Sequence, residues 1–309
     1  MSLTFTLRAD DGMELFVYRW LPAGLPRAVV QIVHGLAEHA GRYARLAQAL
    51  NAAGYAVYAN DHRGHGRTAK STDELGFFAE QDGWRRCVDD LWRVNRHLAA
   101  THPRRPIILL GHSMGATLVE QFIGEHGEAL AGVVLCGANG KPTAKAAMGR
   151  QITRAERLRL GARGRSKLVQ SLTFDAFNKK FAPSRTAFDW LSRDPAEVDK
   201  YVADPLCGFA ATIQLWVDML DGWAAVSRAE HRRRVPRELP IYVIAGGRDP
   251  VSGDTHQLGP WLEEYGAEGL TNLEHRFYPE ARHELFNETN RDEVTRELIA
   301  WLEKAIARQ

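Results

Sequence analysis

The stretch PIILLGHSMGATLVEQF, residues 106–122, restricts the fold more than any other part of the chain. An apolar run stops at Gly111, and a helix-like pattern begins just past Gly115. His112, Ser113 and Met114 stand between the two glycines. A strand that turns so abruptly into a helix forces its corner residue into a strained backbone, commonly with positive φ. Side chains two positions to either side would collide, and glycine at 111 and 115 removes them. The corner then lifts the Ser113 side chain above the carboxyl end of a sheet, where it meets the positive end of the following helix. The pattern is G-x-S-x-G, a nucleophile elbow that exposes a serine oxygen for attack. A turn without chemistry can carry the same letters by chance, but here strand, corner and helix all appear in order.

The surrounding chain supplies a sheet for that corner. Residues 28–35 (AVVQIVHG), 55–61 (YAVYAND), 105–110 (RPIILL) and 131–139 (AGVVLCGAN) read as strands, most of them near-continuous apolar runs that suit burial on both faces. Helical segments lie between them at 41–54, 84–102 and 116–127; the second has apolar residues at 84, 88, 91, 94 and 98. Alternating strand and helix means a parallel sheet with right-handed crossovers. LTFTLR and ELFVYRW, residues 3–8 and 14–20, read as an antiparallel hairpin in front of it. The rhythm breaks between 139 and 238, where RAERLRLGARGRSKLVQSL, PSRTAFDWLSRD and ATIQLWVDMLDGWAAV read as helical. A strand (LPIYVIAGG), a helix (THQLGPWLEEYGA), a strand (LEHRFYP) and a helix (RDEVTRELIAWLEKAIA) then finish the chain. The expected organisation is an α/β core formed by residues 1–138 and 239–309, with a helical insertion at 139–238.

A lone serine is a poor nucleophile and needs a base that an acid orients. With the serine on such an elbow, an acid and then a histidine follow in chain order. Asp249 stands at the end of the strand that reopens the sheet, in GGRDP. His283 stands in the loop after the last strand, in ARHE. There are 12 histidines, so position rather than residue type selects His283. Asp254 is the second candidate acid, although N-capping of the next helix explains it equally well. Two backbone N–H groups should hold the oxyanion. One belongs to Met114, the residue after the nucleophile; the other is expected from Leu36, in the loop after residues 28–35, where Gly35 permits close approach.

In this order, HGLAEHAGRY, NDHRGHGRT, GHSMG, GGRDP and ARHE resemble the α/β-hydrolase group that includes monoacylglycerol lipases, bacterial lysophospholipase-like enzymes and the serine aminopeptidase S33 domain. The match covers about 10–138 and 239–305; inside the insertion, FDWLSRD and DPLCGF resemble segments of bacterial members. The resemblance implies the triad Ser113, Asp249 and His283, oxyanion amides at Leu36 and Met114, and a cap formed by 139–238. It implies hydrolysis of carboxylic esters with apolar acyl chains, the substrate being a small, lipid-derived ester. An S33-type aminopeptidase or amidase, a C–C hydrolase, and a binding module on the same fold remain alternatives. An epoxide hydrolase or haloalkane dehalogenase would carry aspartate where Ser113 stands.

His34, His39, Asp61, His62 and His65 suggest a metal site, but they lack the spacing that puts two imidazoles on one helix face. Loop hydrogen bonding explains them, and Glu38 is expected to hold the loop rather than react. No metal, organic cofactor or nucleotide is expected. The insertion holds 19 Lys+Arg against 11 Asp+Glu, a net +8, whereas the whole chain is only +2, which argues against nucleic acid. The dense run RQITRAERLRLGARGRSK could touch anionic lipid or form a solvated face. Ile213, Trp216, Val217, Leu220 and Trp223 recur at helical spacing. Trp216, Met219, Leu220 and Trp223 are the candidate cap-pocket residues. Three scattered cysteines, no leader-like N-terminus and no long apolar run point to a cytoplasmic protein.

Overall fold

The computed structural model describes residues 3–308. Eight strands form one sheet in the order β1-β2-β4-β3-β5-β6-β7-β8, with β1 (Leu3–Arg8), β2 (Glu14–Trp20), β3 (Val29–Val33), β4 (Ala56–Asn60), β5 (Ile107–His112), β6 (Gly132–Cys136), β7 (Ile241–Gly246) and β8 (Leu273–Tyr278). β1 pairs antiparallel with β2, and β2 antiparallel with β4; all other pairs are parallel. Successive residues of β3, β5, β6 and β7 point to opposite faces, and both faces are apolar. Val29, Val33, Leu109, Val133, Leu135 and Val243 join one core, while Val30, Ile32, Ile108, Leu110, Val134 and Ile244 join the other. α2 (Gly83–Thr101) and α3 (Met114–His126) cover the first face; α1 (Ala44–Ala52) and α11 (Arg291–Ala307) contribute to the second. Gln31, fully buried in β3, is satisfied by the Leu91 carbonyl and by Asn95 of α2. β8 closes one edge with Glu274, His275 and Arg276, polar residues that discourage strand addition.

Between β6 and β7 the chain forms α4 (Ala144–Leu160), α5 (Lys167–Leu172), α6 (Phe174–Lys179), α7 (Pro195–Ala203), α8 (Ile213–Val226) and α9 (Ala229–Arg232). The segment expected as one helix over 154–172 is broken, because Gly161 takes φ 72° and ends α4. Residues 183–194 are not helical. Their backbone groups bond to side chains instead: Thr186 N–H to Asp189, Trp190 N–H to Asn178. α10 (Leu258–Ala267) starts later than the sequence suggests, after a run of turns over 251–257.

Candidate active site

β5 ends at the elbow. Ser113 adopts φ 56°, ψ −120°, the left-handed strain expected of a nucleophile corner. The glycines are required, but for different neighbours than each other. A Cβ on Gly111 would lie 2.6 Å from the Gly115 carbonyl oxygen, and one on Gly115 would run into the Val33 carbonyl of β3. The corner is therefore packed against the first turn of α3 on one side and the end of β3 on the other.

Asp249 follows β7 and is fully buried; its Oδ1 accepts the Val251 N–H at 2.9 Å. Its Oδ2 lies 2.9 Å from His283 Nδ1, in the loop after β8. Burial alone would depress the histidine pKa, but the Asp249 charge and hydrogen bond outweigh it, so His283 titrates above its usual 6.5. Ser113 and His283 line one cavity of about 290 Å³, and no direct hydrogen bond joins them in this state. Such bonds commonly tighten only around a substrate. Asp254 stands apart: it is half exposed, paired with Lys180 at 2.6 Å, and it does not cap α10, whose N-cap is Gln257.

Leu36 and Met114 both line the cavity, and among the described residues neither backbone N–H has a protein partner. Gly35 keeps the loop close to the elbow: a Cβ there would be crowded, 3.0 Å from Glu38 Oε1 and 3.2 Å from Ser113 Cβ. Glu38 does hold the loop: it accepts the Gly35 N–H at 2.6 Å and the Tyr43 hydroxyl at 2.9 Å. Arg42 donates to Glu38 at 2.7 Å and to both oxygens of Glu284, beside His283. Burial opposes the Glu284 charge, but Arg42 prevails and draws its pKa down to about 2. Sequence reasoning missed Arg42 and Glu284 as site residues; the signal was their places within HGLAEHAGRY and ARHE.

The histidines near this loop are structural. His34 Nδ1 donates to the Gly35 carbonyl, and its Nε2 accepts the His62 N–H at 3.0 Å. Burial drives the pKa of His62 to about 3 and that of His65 to about 4, so both stay neutral. Among the described residues, one cluster of three metal-competent side chains exists, His39, Asp204 and Cys207. His39 has both ring nitrogens engaged there, with Asp204 at 2.9 Å and the Gly41 N–H at 3.2 Å.

The insertion lines much of the cavity. Trp216, Met219, Leu220 and Trp223 of α8 line it, together with Ile152, Val169, Leu172, Phe174, Phe177 and Trp190. Trp216 is both wall and packing, buried edge-on against Phe174 at 5.8 Å. Trp190 lies 5.1 Å from the His283 ring. Its segment is strapped to the histidine loop: the Glu284 N–H bonds to the Leu191 carbonyl at 2.8 Å, and Arg193 pairs with buried Glu288 at 2.8 Å. The basic run on α4 and in the turn after it is largely paired, Arg150 and Arg154 with Asp221, Arg159 with Glu156, and Arg163 with Glu80.

A strand–serine–helix corner over a sheet of this order, with an acid and a histidine delivered by the last two strands, is the architecture of the α/β-hydrolases, and this chain has that fold. It belongs within them to the family described as serine aminopeptidase, S33, which it matches over residues 24–290. It is 30% identical over 295 residues to a monoacylglycerol lipase of Mycolicibacterium smegmatis, covering 94% of this chain and 93% of that one. It is 28% identical over 291 residues to the human monoglyceride lipase, covering 91% and 86%. A solved carboxyl esterase from Bacillus coagulans, in complex with glycerol, superposes with a TM-score of 0.90 over 99% of each chain at 25% identity.

Proposed function

We propose that this protein is a carboxylic ester hydrolase acting through an acyl-enzyme, with small esters of apolar acyl chains, monoacylglycerols among them, as substrates. The observation that carries this reading is the buried His283–Asp249 pair, which opens onto the same cavity as strained Ser113. His283 Nε2 takes the Ser113 proton as Oγ adds to the ester carbonyl. The oxyanion accepts from the Leu36 and Met114 N–H groups. Asp249 holds the proton on Nδ1 and stabilises the imidazolium. Collapse breaks the C–O bond; His283 gives its proton to the departing alcohol. Water then repeats the two steps on the acyl-enzyme. Residues 139–238 act as the cap over this site.

Aminopeptidase action is disfavoured by the cavity's charges. Its described carboxylates are Glu38 and Glu284, and Arg42 engages both, which leaves neither to receive a substrate ammonium. The apolar wall suits an acyl chain instead. Met148, Leu158, Leu168 and Leu172 of α4 and α5 are exposed beside Lys145 and Lys167, a surface suited to transient contact with an anionic membrane. No helix among the described residues is long and apolar enough to cross a membrane. The three cysteines are free and buried, which fits a reducing compartment, and a cytoplasmic location is part of the proposal. A panel of p-nitrophenyl esters, monoacylglycerols, lysophospholipids and aminoacyl amides tests the reading. Turnover of medium-chain esters supports it; turnover of the amides alone overturns it.

A further inference from the structure

The loop that carries the Leu36 amide is gripped from two sides. From the core, Glu38 takes the Gly35 N–H, and Arg42 fixes Glu38. From the insertion, two donors converge on one atom, the Ala37 carbonyl oxygen: the Tyr201 hydroxyl at 2.8 Å and the Gly208 N–H at 2.9 Å. Ala37 is fully buried at φ 57°, a conformation that a residue with a Cβ adopts only under external restraint. Asp204 adds a third tie, 2.9 Å from His39 Nε2. The Gly41 N–H bonds to His39 Nδ1, so Nε2 carries the hydrogen and donates to Asp204. Arg42 stacks under the Tyr201 ring at 4.8 Å, linking the two grips.

We infer that the cap segment Tyr201–Gly208 is a positioning element for catalysis: it holds the Ala37 carbonyl so that the neighbouring Leu36 N–H points at the forming oxyanion. The inference rests on the reading above, in which Leu36 supplies that amide. Oxyanion donors act only when preset at hydrogen-bond distance from where the charge develops. Leu36 lies between the Glu38 anchor at the Gly35 N–H and the cap anchor at the Ala37 carbonyl, so the tripeptide Gly35–Ala37 is held at both ends, and the peptide carrying the Leu36 N–H is also tied through its Gly35 carbonyl to His34 Nδ1. The cap therefore contributes to the chemical step of every ester, including those too short to touch its apolar wall.

The test is Tyr201→Phe, which removes one donor and keeps the ring. Asp204→Asn, outside the cavity lining, serves as the second variant if the first does not fold. The expected loss in kcat is about tenfold, equal for p-nitrophenyl acetate and octanoate, with KM nearly unchanged. The Ki of an alkyl trifluoromethyl ketone, whose hemiketal oxygen sits where the oxyanion forms, should rise by the same factor. A rise confined to KM for the octanoate would make Tyr201 an acyl-wall residue only and overturn the inference. So would an unchanged ketone Ki in folded variants of matched melting temperature. Ser113→Ala run alongside separates the two levels: if it retains activity, the site reading itself is wrong. If it is inactive while Tyr201→Phe and Asp204→Asn react normally, only the positioning role fails.

Discussion

Two groups of residues meet at the cavity, and they are held in opposite ways. Those from the core arrive on loops at the carboxyl ends of β3, β5, β7 and β8, and hydrogen bonds of 2.6–2.9 Å fix them, as at Gly35–Glu38 and His283–Asp249. Those from α4 to α8 arrive on helices, and most meet the cavity through carbon: Ile152, Val169, Phe174, Met219, Leu220. The first group can direct charge, since fixed dipoles need no reorganisation when an oxyanion forms. The carbon lining of the second can exclude water and fit shape, while its Tyr201–Gly208 segment reaches the core loops through hydrogen bonds to the Ala37 carbonyl. In the proposed function, the reaction belongs to the loops and the segment that holds them, and the choice of substrate to the carbon-lined helices.

The sharpest attempt to break this division is Ser113→Ala. It should lower kcat by about five powers of ten or more while the melting temperature stays put; an unchanged rate in purified protein would sink the elbow assignment. Asp249→Asn should cost about 10⁴ in kcat, because the amide favours the wrong histidine tautomer. Asp254→Asn should be close to silent, and the reverse ranking would reassign the acid. On the cap side, kcat/KM should climb from acetyl to medium-chain esters, each fully buried methylene being worth up to about 0.8 kcal/mol. Leu220→Ala and Met219→Ala should flatten that climb and spare the acetyl ester. Trp216→Ala should do the same and also cost about 3 kcal/mol of stability, because its ring is packed against Phe174. A flat wild-type series would remove the cap from substrate choice. The smallest effect is in pH. His283 must be neutral to accept the serine proton, and its pKa is raised. The acid limb of kcat/KM should therefore fall above the 6.5 of an ordinary histidine. In Asp249→Asn the source of the rise is gone, and the limb should move to lower pH.

The same division explains what the sequence disclosed. Ser113 and Asp249 each sit within a few residues of an apolar strand, and His283 in the loop after the last strand of the alternation, so local pattern and chain order fix where the sheet delivers them. The Glu38 anchor was legible for that reason too. The helix stripe at 213–223 showed a period, but a period does not say which neighbours face a cavity. Trp190 was hidden in a segment whose backbone is satisfied by side chains and by the histidine loop, so its apparent helical pattern misleads. FDWLSRD and DPLCGF, the insertion segments with a family likeness, are the ones bonded to the histidine loop and to the loop after β3. The apolar cavity lining from α4, α5 and α8 lies largely outside them, where only packing constrains the residue.

The insertion sits between β6 and β7, which are parallel neighbours. Its chain must leave at the carboxyl edge of the sheet and re-enter at the amino edge. α8 and α9 make that return, and α8 packs on α2 and α3, with Ile213 and Leu215 in the same core as Val119 and Phe122. For anyone grafting caps between relatives, the transferable piece is therefore smaller than the interval 139–238. A chimaera cut before α8 keeps the layer that shields α3, whereas one cut after α9 strips it and should precipitate rather than change specificity.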